Sequence, residues 1–244
     1  MTGPLEGRTV LVTRPHDDAQ ELAGRLRSEG AEVLVAPVIR LEPGDAVELA
    51  EAAREAAKGR FDWVVFTSAA GVRAWFERAD GRPRSRVAAV GGGTAEALRS
   101  EGVEPDLVPE TFTTEALGQT FPEGSGQVLL PRADIAPPGL RDALAAKGWT
   151  PVPVVAYRTR FEEELPDGVA ERLAGGRVDV VTFTSASTVE GFVRLAGIPE
   201  GVPAVCIGPV TADTARRAGL EVTAAAEPHT IEGLVQAVIR ALQR

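Results

Sequence analysis

One cysteine, one tyrosine, one methionine and two histidines in 244 residues leave few side chains for redox, metal or acid–base chemistry. Cys206 alone excludes an intramolecular disulfide and any multi-cysteine metal cluster, and it suits a reducing cytoplasm. It lies in an apolar run and reads as a buried thiol rather than a nucleophile. His16 and His229 are isolated, so neither forms a histidine pair at helical spacing that could hold a metal. A serine–histidine–carboxylate relay would need one of them beside Ser68 or Ser185, and no Gly-x-Ser-x-Gly elbow is present. Positive charge is also scarce: 26 Lys and Arg stand against 35 Asp and Glu, for a net charge of −9. That balance argues against a broad nucleic-acid or anionic-membrane surface, although local arginines can still dominate a small-ligand cleft. No apolar stretch reaches the ~18–20 residues that span a bilayer. Met1 to Thr9 lacks a basic segment followed by an apolar run, so neither export nor membrane insertion is expected.

What remains is ordinary globular material, 44% hydrophobic and 25% charged, in a length that suits two small domains. Short β-branched runs alternate with segments whose apolar residues recur three and four apart, the pattern of strands followed by helices. Thr9 to Thr13 reads as a strand. Ala19 to Glu29 reads as a helix with Leu22 and Leu26 on one face, stopped by Gly30 as a left-handed cap. Further strands are predicted at Val33–Val35, Trp63–Phe66, Val87–Val90, Val128–Leu130, Val152–Ala156, Val178–Phe183 and Ala204–Ile207. The fold class is therefore α/β, with parallel sheets flanked by helices.

The two halves of the chain repeat one another. Arg14 matches Arg132, Leu26 matches Leu144, Gly30 matches Gly148 and Arg40 matches Arg158, each 118 residues on. Asp62 matches Asp179, Phe66-Thr67-Ser68-Ala69 matches Phe183-Thr184-Ser185-Ala186, Gly91 matches Gly208, Thr94-Ala95 matches Thr211-Ala212 and Gly102 matches Gly219, each 117 residues on. One deletion relates the two copies. Each half thus contributes a strand ending at an arginine, one ending in Phe-Thr-Ser-Ala and one ending in Gly-x-x-Thr-Ala. All these groups fall at the carboxyl ends of strands, the edge where open parallel sheets bind ligands.

At Phe66–Ala69 and Phe183–Ala186 one hydroxyl can cap the following helix. The second hydroxyl, the free N–H groups and the positive dipole end suit a carboxylate, which makes Thr67, Ser68, Thr184 and Ser185 candidate binding residues. Gly91 with Thr94, and Gly208 with Thr211, repeat the design, glycine allowing a sharp turn and close approach of a ligand to the backbone. Arg14 and Arg132 could grip a carboxylate with two hydrogen bonds, or form surface ion pairs; their symmetric placement favours binding. No dinucleotide fingerprint is present, since Gly91-x-Gly93 continues to Glu96 and the second copy lacks the pattern. Tyr157 stands where the first repeat has Ile39 and by itself reads as a core aromatic.

Leu-Val-Thr-Arg-Pro at 11–15, Phe-Thr-Ser-Ala at 66–69, Gly-x-x-Thr at 91–94, Tyr-Arg-Thr at 157–159 and Ile-Gly-Pro-x-Thr-Ala at 207–212 together resemble the uroporphyrinogen-III synthase family, in order and spacing over nearly the whole chain. The resemblance implies two similar domains, 1–37 with 158–244 and 41–155, joined by a two-stranded β connector near 33–41 and 151–159, with an active-site cleft between the domains. A simple tandem division would instead cut near Pro122. The implied reaction cyclises linear hydroxymethylbilane to uroporphyrinogen III, with loss of water and inversion of the last pyrrole ring, without metal or organic cofactor. By motif match Tyr157 takes the place of a tyrosine that assists departure of the hydroxyl, and Thr94 and Thr211 match threonines that line the cleft. The substrate is an anionic linear tetrapyrrole with eight carboxylates, and the resemblance further implies a cytoplasmic monomer in transient contact with the enzyme that makes hydroxymethylbilane. The alternative is a non-catalytic two-lobed sensor of a small anionic ligand.

Overall fold

A computed structural model describes residues 3–79 and 81–243, so residues 1, 2 and 244 of the expected first domain lie outside the described residues. In chain order the elements are β1 (Thr9–Val12), α1 (His16–Ser28), β2 (Glu32–Val35), β3 (Ile39–Pro43), α2 (Ala46–Ala57), β4 (Trp63–Phe66), α3 (Ala69–Phe76), β5 (Arg86–Ala89) and α4 (Gly92–Ser100). There follow α5 (Thr114–Thr120), β6 (Gln127–Ala133), α6 (Gly139–Ala146), β7 (Thr150–Phe161), α7 (Val169–Ala174), β8 (Val180–Phe183), α8 (Ala186–Ala196), β9 (Ala204–Cys206), α9 (Pro209–Arg217), β10 (Val222–Ala225) and α10 (Ile231–Leu242). Among the described residues no helix is long and apolar enough to cross a membrane.

The chain divides into two compact units, one from residues up to Arg40 and from Arg160 onward, the other Leu41–Thr159. The first holds a sheet of order β10-β9-β8-β1-β2, the second a sheet of order β3-β7-β6-β4-β5. Within them β1 pairs in parallel with β8 and β2, and β6 pairs in parallel with β4 and β7. Each Arg-bearing strand therefore lies beside a Phe-Thr-Ser strand from the opposite half of the sequence. A cut near Pro122 would have parted β1 from β8. Counted from the repeat, both sheets carry the same order of equivalent strands, β9-β8-β1-β2 in one and β5-β4-β6-β7 in the other.

The strands read as unbroken apolar runs because both sheet faces are covered. In the first unit Leu11, Val181, Phe183 and Cys206 pack on one face with Leu173, Val189, Phe192 and Ala215, while Val10, Val12, Val180 and Val205 pack on the other with Leu22, Leu26, Leu234 and Val238. In the second, Val64, Phe66 and Leu129 meet Leu49, Val72, Trp75 and Leu98, and Trp63, Val65, Val128 and Leu130 meet Leu117, Leu140 and Leu144 on the reverse. The matched carboxylates hold the amino ends of these sheets. Asp179 Oδ2 accepts the Thr9 N–H at 2.7 Å, and Asp62 Oδ2 accepts the Gln127 N–H at 3.0 Å, each tying the start of an Arg-bearing strand to its neighbour.

Two boundaries depart from the sequence reading. The apolar stretch 33–41 is two strands in different sheets, β2 and β3, with Pro37 between them. The second stretch is one strand of twelve residues, β7, far longer than Val152–Ala156. Gly30 closes α1 with φ of 96°, the left-handed conformation that its position predicts.

Burial in β9 pushes the Cys206 thiol up to about 12, with the Arg216 charge opposing it. A disulfide reagent at neutral pH is expected to leave the native protein unlabelled and to modify one thiol after denaturation; rapid labelling of the native chain would contradict this packing.

Candidate functional site

Each unit assembles its candidate residues by the same local logic. A buried strand ends, the chain leaves the sheet at its carboxyl edge, and a helix begins whose first N–H groups lack intrahelical partners. In the second unit β4 ends at Phe66, Thr67 is half-buried, and Ser68 caps α3 by accepting the Gly71 N–H at 3.0 Å. In the first, β8 ends at Phe183, Thr184 is half-buried, and Ser185 caps α8 in a reciprocal box: its Oγ accepts the Thr188 N–H at 3.2 Å while Thr188 Oγ1 accepts the Ser185 N–H at 3.2 Å.

An aromatic pair fixes each junction. Phe66 meets Trp75 edge-on with ring centroids 5.9 Å apart, and Phe183 meets Phe192 at 5.4 Å, at positions equivalent in the repeat. Strand and helix are thereby locked two residues before each cap serine. Thr94 and Thr211 are buried in the first turns of α4 and α9.

Gly91 and Gly208 are the caps at which α4 and α9 begin. Both are extended, with φ of −179° and −174°, a conformation open to any residue. At Gly91 the requirement is space, since a Cβ would stand 2.6 Å from the Cβ of Phe112. At Gly208 a Cβ would meet the His229 ring at 3.4 Å, an ordinary contact. Phe112 and His229 are residues that the sequence reading left out of the site. Extending the 117-residue match past Gly102 and Gly219 would have found them, because it aligns Phe112-Thr113 with His229-Thr230. Thr113 and Thr230 are also equivalent caps, of α5 and α10.

The arginines differ. Arg14, just beyond β1, has its guanidinium 4.0 Å from the carboxylate of Asp18 in the first turn of α1. Arg132 ends β6 half-buried and donates from Nη2 to the Pro137 carbonyl at 2.5 Å. Burial, and after it the like charge of Arg141, lowers the Arg132 guanidinium from its ordinary value, with Asp142 opposing. Arg132 and Arg141 line an open pocket of about 250 Å³ with Glu48 and Asp134.

Tyr157 is drawn into this unit by β7. Its ring packs against the core around Phe66 and Trp75, and its hydroxyl lies 3.0 Å from Ser68 Oγ, 89 residues earlier in the chain. The ring is partly buried, as a core aromatic would be, and its hydroxyl meets a candidate binding residue.

Two α/β units that repeat one order of parallel strands, with hydroxyl, glycine and guanidinium groups at matching carboxyl ends, define an internally duplicated α/β protein that presents a ligand-binding type of sheet edge twice. The comparison with known families gives that class its identity. The chain belongs to the uroporphyrinogen-III synthase HemD family, whose model matches residues 20–236. It is 32% identical to the uroporphyrinogen-III synthase of Synechococcus elongatus over 96% of either chain. The crystal structure of a mutant uroporphyrinogen III synthase from the extremely thermophilic bacterium Thermus thermophilus superposes with a TM-score of 0.69 at 27% identity, covering 97% of this chain and 99% of that one. The Helicobacter pylori enzyme, at 16% identity and a TM-score of 0.61 over 96% of this chain and 99% of its own, shares the fold. The family makes this protein a lyase of tetrapyrrole biosynthesis with uroporphyrinogen-III synthase activity, which displaces the sensor reading.

Proposed function

We propose that this chain takes linear hydroxymethylbilane to uroporphyrinogen III and that Tyr157 assists the first step. The observation that carries the assignment of roles is the Tyr157 hydroxyl 3.0 Å from the cap serine of α3, at the carboxyl edge of the sheet. Arg14, Thr67, Ser68, Gly91, Thr94, Arg132, Thr184, Ser185, Gly208 and Thr211 take up substrate carboxylates in this reading, through guanidinium groups, hydroxyls and N–H groups at helix starts, Ser68 doing so through its backbone N–H. Residues 1–37 with 158–244, and 41–155, are the corresponding domains.

The phenol gives its proton to the departing hydroxyl, the carbon–oxygen bond breaks, and water leaves. The conjugated electrophile that remains is attacked by the substituted carbon of the far ring. The spiro intermediate so formed rearranges, and the proton released when the ring regains aromaticity restores the phenol. Closure without rearrangement is the spontaneous alternative, so holding the two ends in the reacting geometry is the larger part of the task. The reading includes a monomer in the cytoplasm that meets the enzyme supplying hydroxymethylbilane; the single buried cysteine suits that reducing compartment.

Purified protein given freshly generated hydroxymethylbilane, with nothing else added, is expected to yield the type III isomer in excess. Type I product alone, the outcome of spontaneous closure, would refute the assignment.

A further inference from the structure

The duplication makes the two cap serines equivalent, yet their hydroxyls are satisfied differently. Ser185 is bound within its own helix. Its Oγ accepts the Thr188 N–H and lies 3.0 Å from Ser187 Oγ and 3.4 Å from Thr188 Oγ1. In the other unit the positions of Ser187 and Thr188 are Ala70 and Gly71, which carry no hydroxyl. Ser68 keeps the backbone bond to Gly71 and turns to Tyr157 instead. The repeat position of Tyr157 is Ile39, buried in the first unit. The exchange is thus double: where the helix supplies local hydroxyls the crossing strand has an aliphatic residue, and where it supplies none the strand has the chain's single tyrosine.

A serine hydroxyl has one proton and two lone pairs. With the Gly71 N–H on one lone pair, beside the positive end of α3, the Ser68 O–H is polarised as a donor. Donation to the phenolic oxygen would stabilise that oxygen as its proton is given up. We propose that Ser68 is a positioning residue that donates to Tyr157 Oη and turns the phenol's proton toward the departing hydroxyl, so that proton transfer belongs to the 41–159 unit alone. This rests on the role given to Tyr157 above.

The test is a double-mutant cycle with steady-state kinetics and a spectroscopic arm. Ser68→Ala is expected to lower kcat by about 10-fold, a part of the ~10²–10⁴ that a positioned acid contributes, with KM little changed. Combined with Tyr157→Phe it should add nothing further, and Ser68→Thr, which keeps cap and hydroxyl, should restore most of the rate. Because Tyr157 is the only tyrosine, alkaline absorbance titration reads its phenolate directly, and the midpoint should move to higher pH in Ser68→Ala and return in Ser68→Thr. Thr113→Ala removes a comparable cap, that of α5, where Thr113 Oγ1 accepts the Ala116 N–H at 3.0 Å; it should lower stability and spare kcat. An equal loss from Ser68→Ala with and without the phenol would show a helix cap and nothing more, overturning the inference while the role of Tyr157 stands. An unmoved titration would overturn it as well. Unchanged kcat in Tyr157→Phe alone would remove the acid role and the inference with it.

Discussion

Tyr157→Phe should turn over about 100-fold more slowly than the parent protein, at the lower end of what a positioned general acid supplies, while folding normally. The ring carries the packing, and in the proposed role the hydroxyl carries the chemistry. Tyr157 lies against the core built by Phe66, Trp75 and Val154, and phenylalanine fills that space. The Ser68 hydroxyl that loses its partner keeps the Gly71 N–H and remains only partly buried, so the stability cost is small. A group that acts on the departing hydroxyl acts at the transition state, so the loss should fall on kcat and leave KM nearly unchanged. Circular dichroism and initial rates with freshly made hydroxymethylbilane decide the matter. An unaltered kcat would leave the rate to substrate folding alone, and a raised KM at constant kcat would make the phenol a binding group.

Phe66→Ala should be the most damaging single change to the fold of the 41–159 unit. Phe66 has no exposed surface and packs edge-on to Trp75 at 5.9 Å. Truncation removes about 3–5 kcal/mol, from the lost transfer energy of the ring and from the cavity left between β4 and α3. With a urea dependence of ~1–3 kcal/mol/M, the midpoint for this unit should fall by at least about 1 M. The same change should abolish turnover even where the unit is folded, because the strand–helix junction it anchors carries Thr67 and Ser68. Phe66→Leu, which keeps most of the volume, should recover much of the stability. A midpoint unmoved by the alanine would mean that the packing around Ser68 does not depend on this ring.

How much of this was legible beforehand differs by element. β1, β2, β4, β5, β8 and β9 lie within a residue or two of the predicted strands, since a strand covered on both faces announces itself as a β-branched run. The short edge strand β10 was missed, and α2 and α6 were not singled out. At Gly91 the structure adds a demand for space that local sequence does not reveal, because it comes from a ring 21 residues away.

The sequence by itself determined the alternation of strands and helices, the duplication, and the placing of hydroxyl, glycine and arginine groups at strand ends. These follow from local periodicity and from matching residues along one chain. Periodicity and the repeat left open which strands pair; the family resemblance grouped β1 with β8, and only the tertiary structure decided that β1 lies directly beside β8 and β6 beside β4, because parallel strands pair through hydrogen bonds between segments remote in the chain. For the same reason only the fold could bring Tyr157 to Ser68 and not to Ser185. That choice depends on which sheet β7 joins, and it gives one of two equivalent serines a phenol to hold.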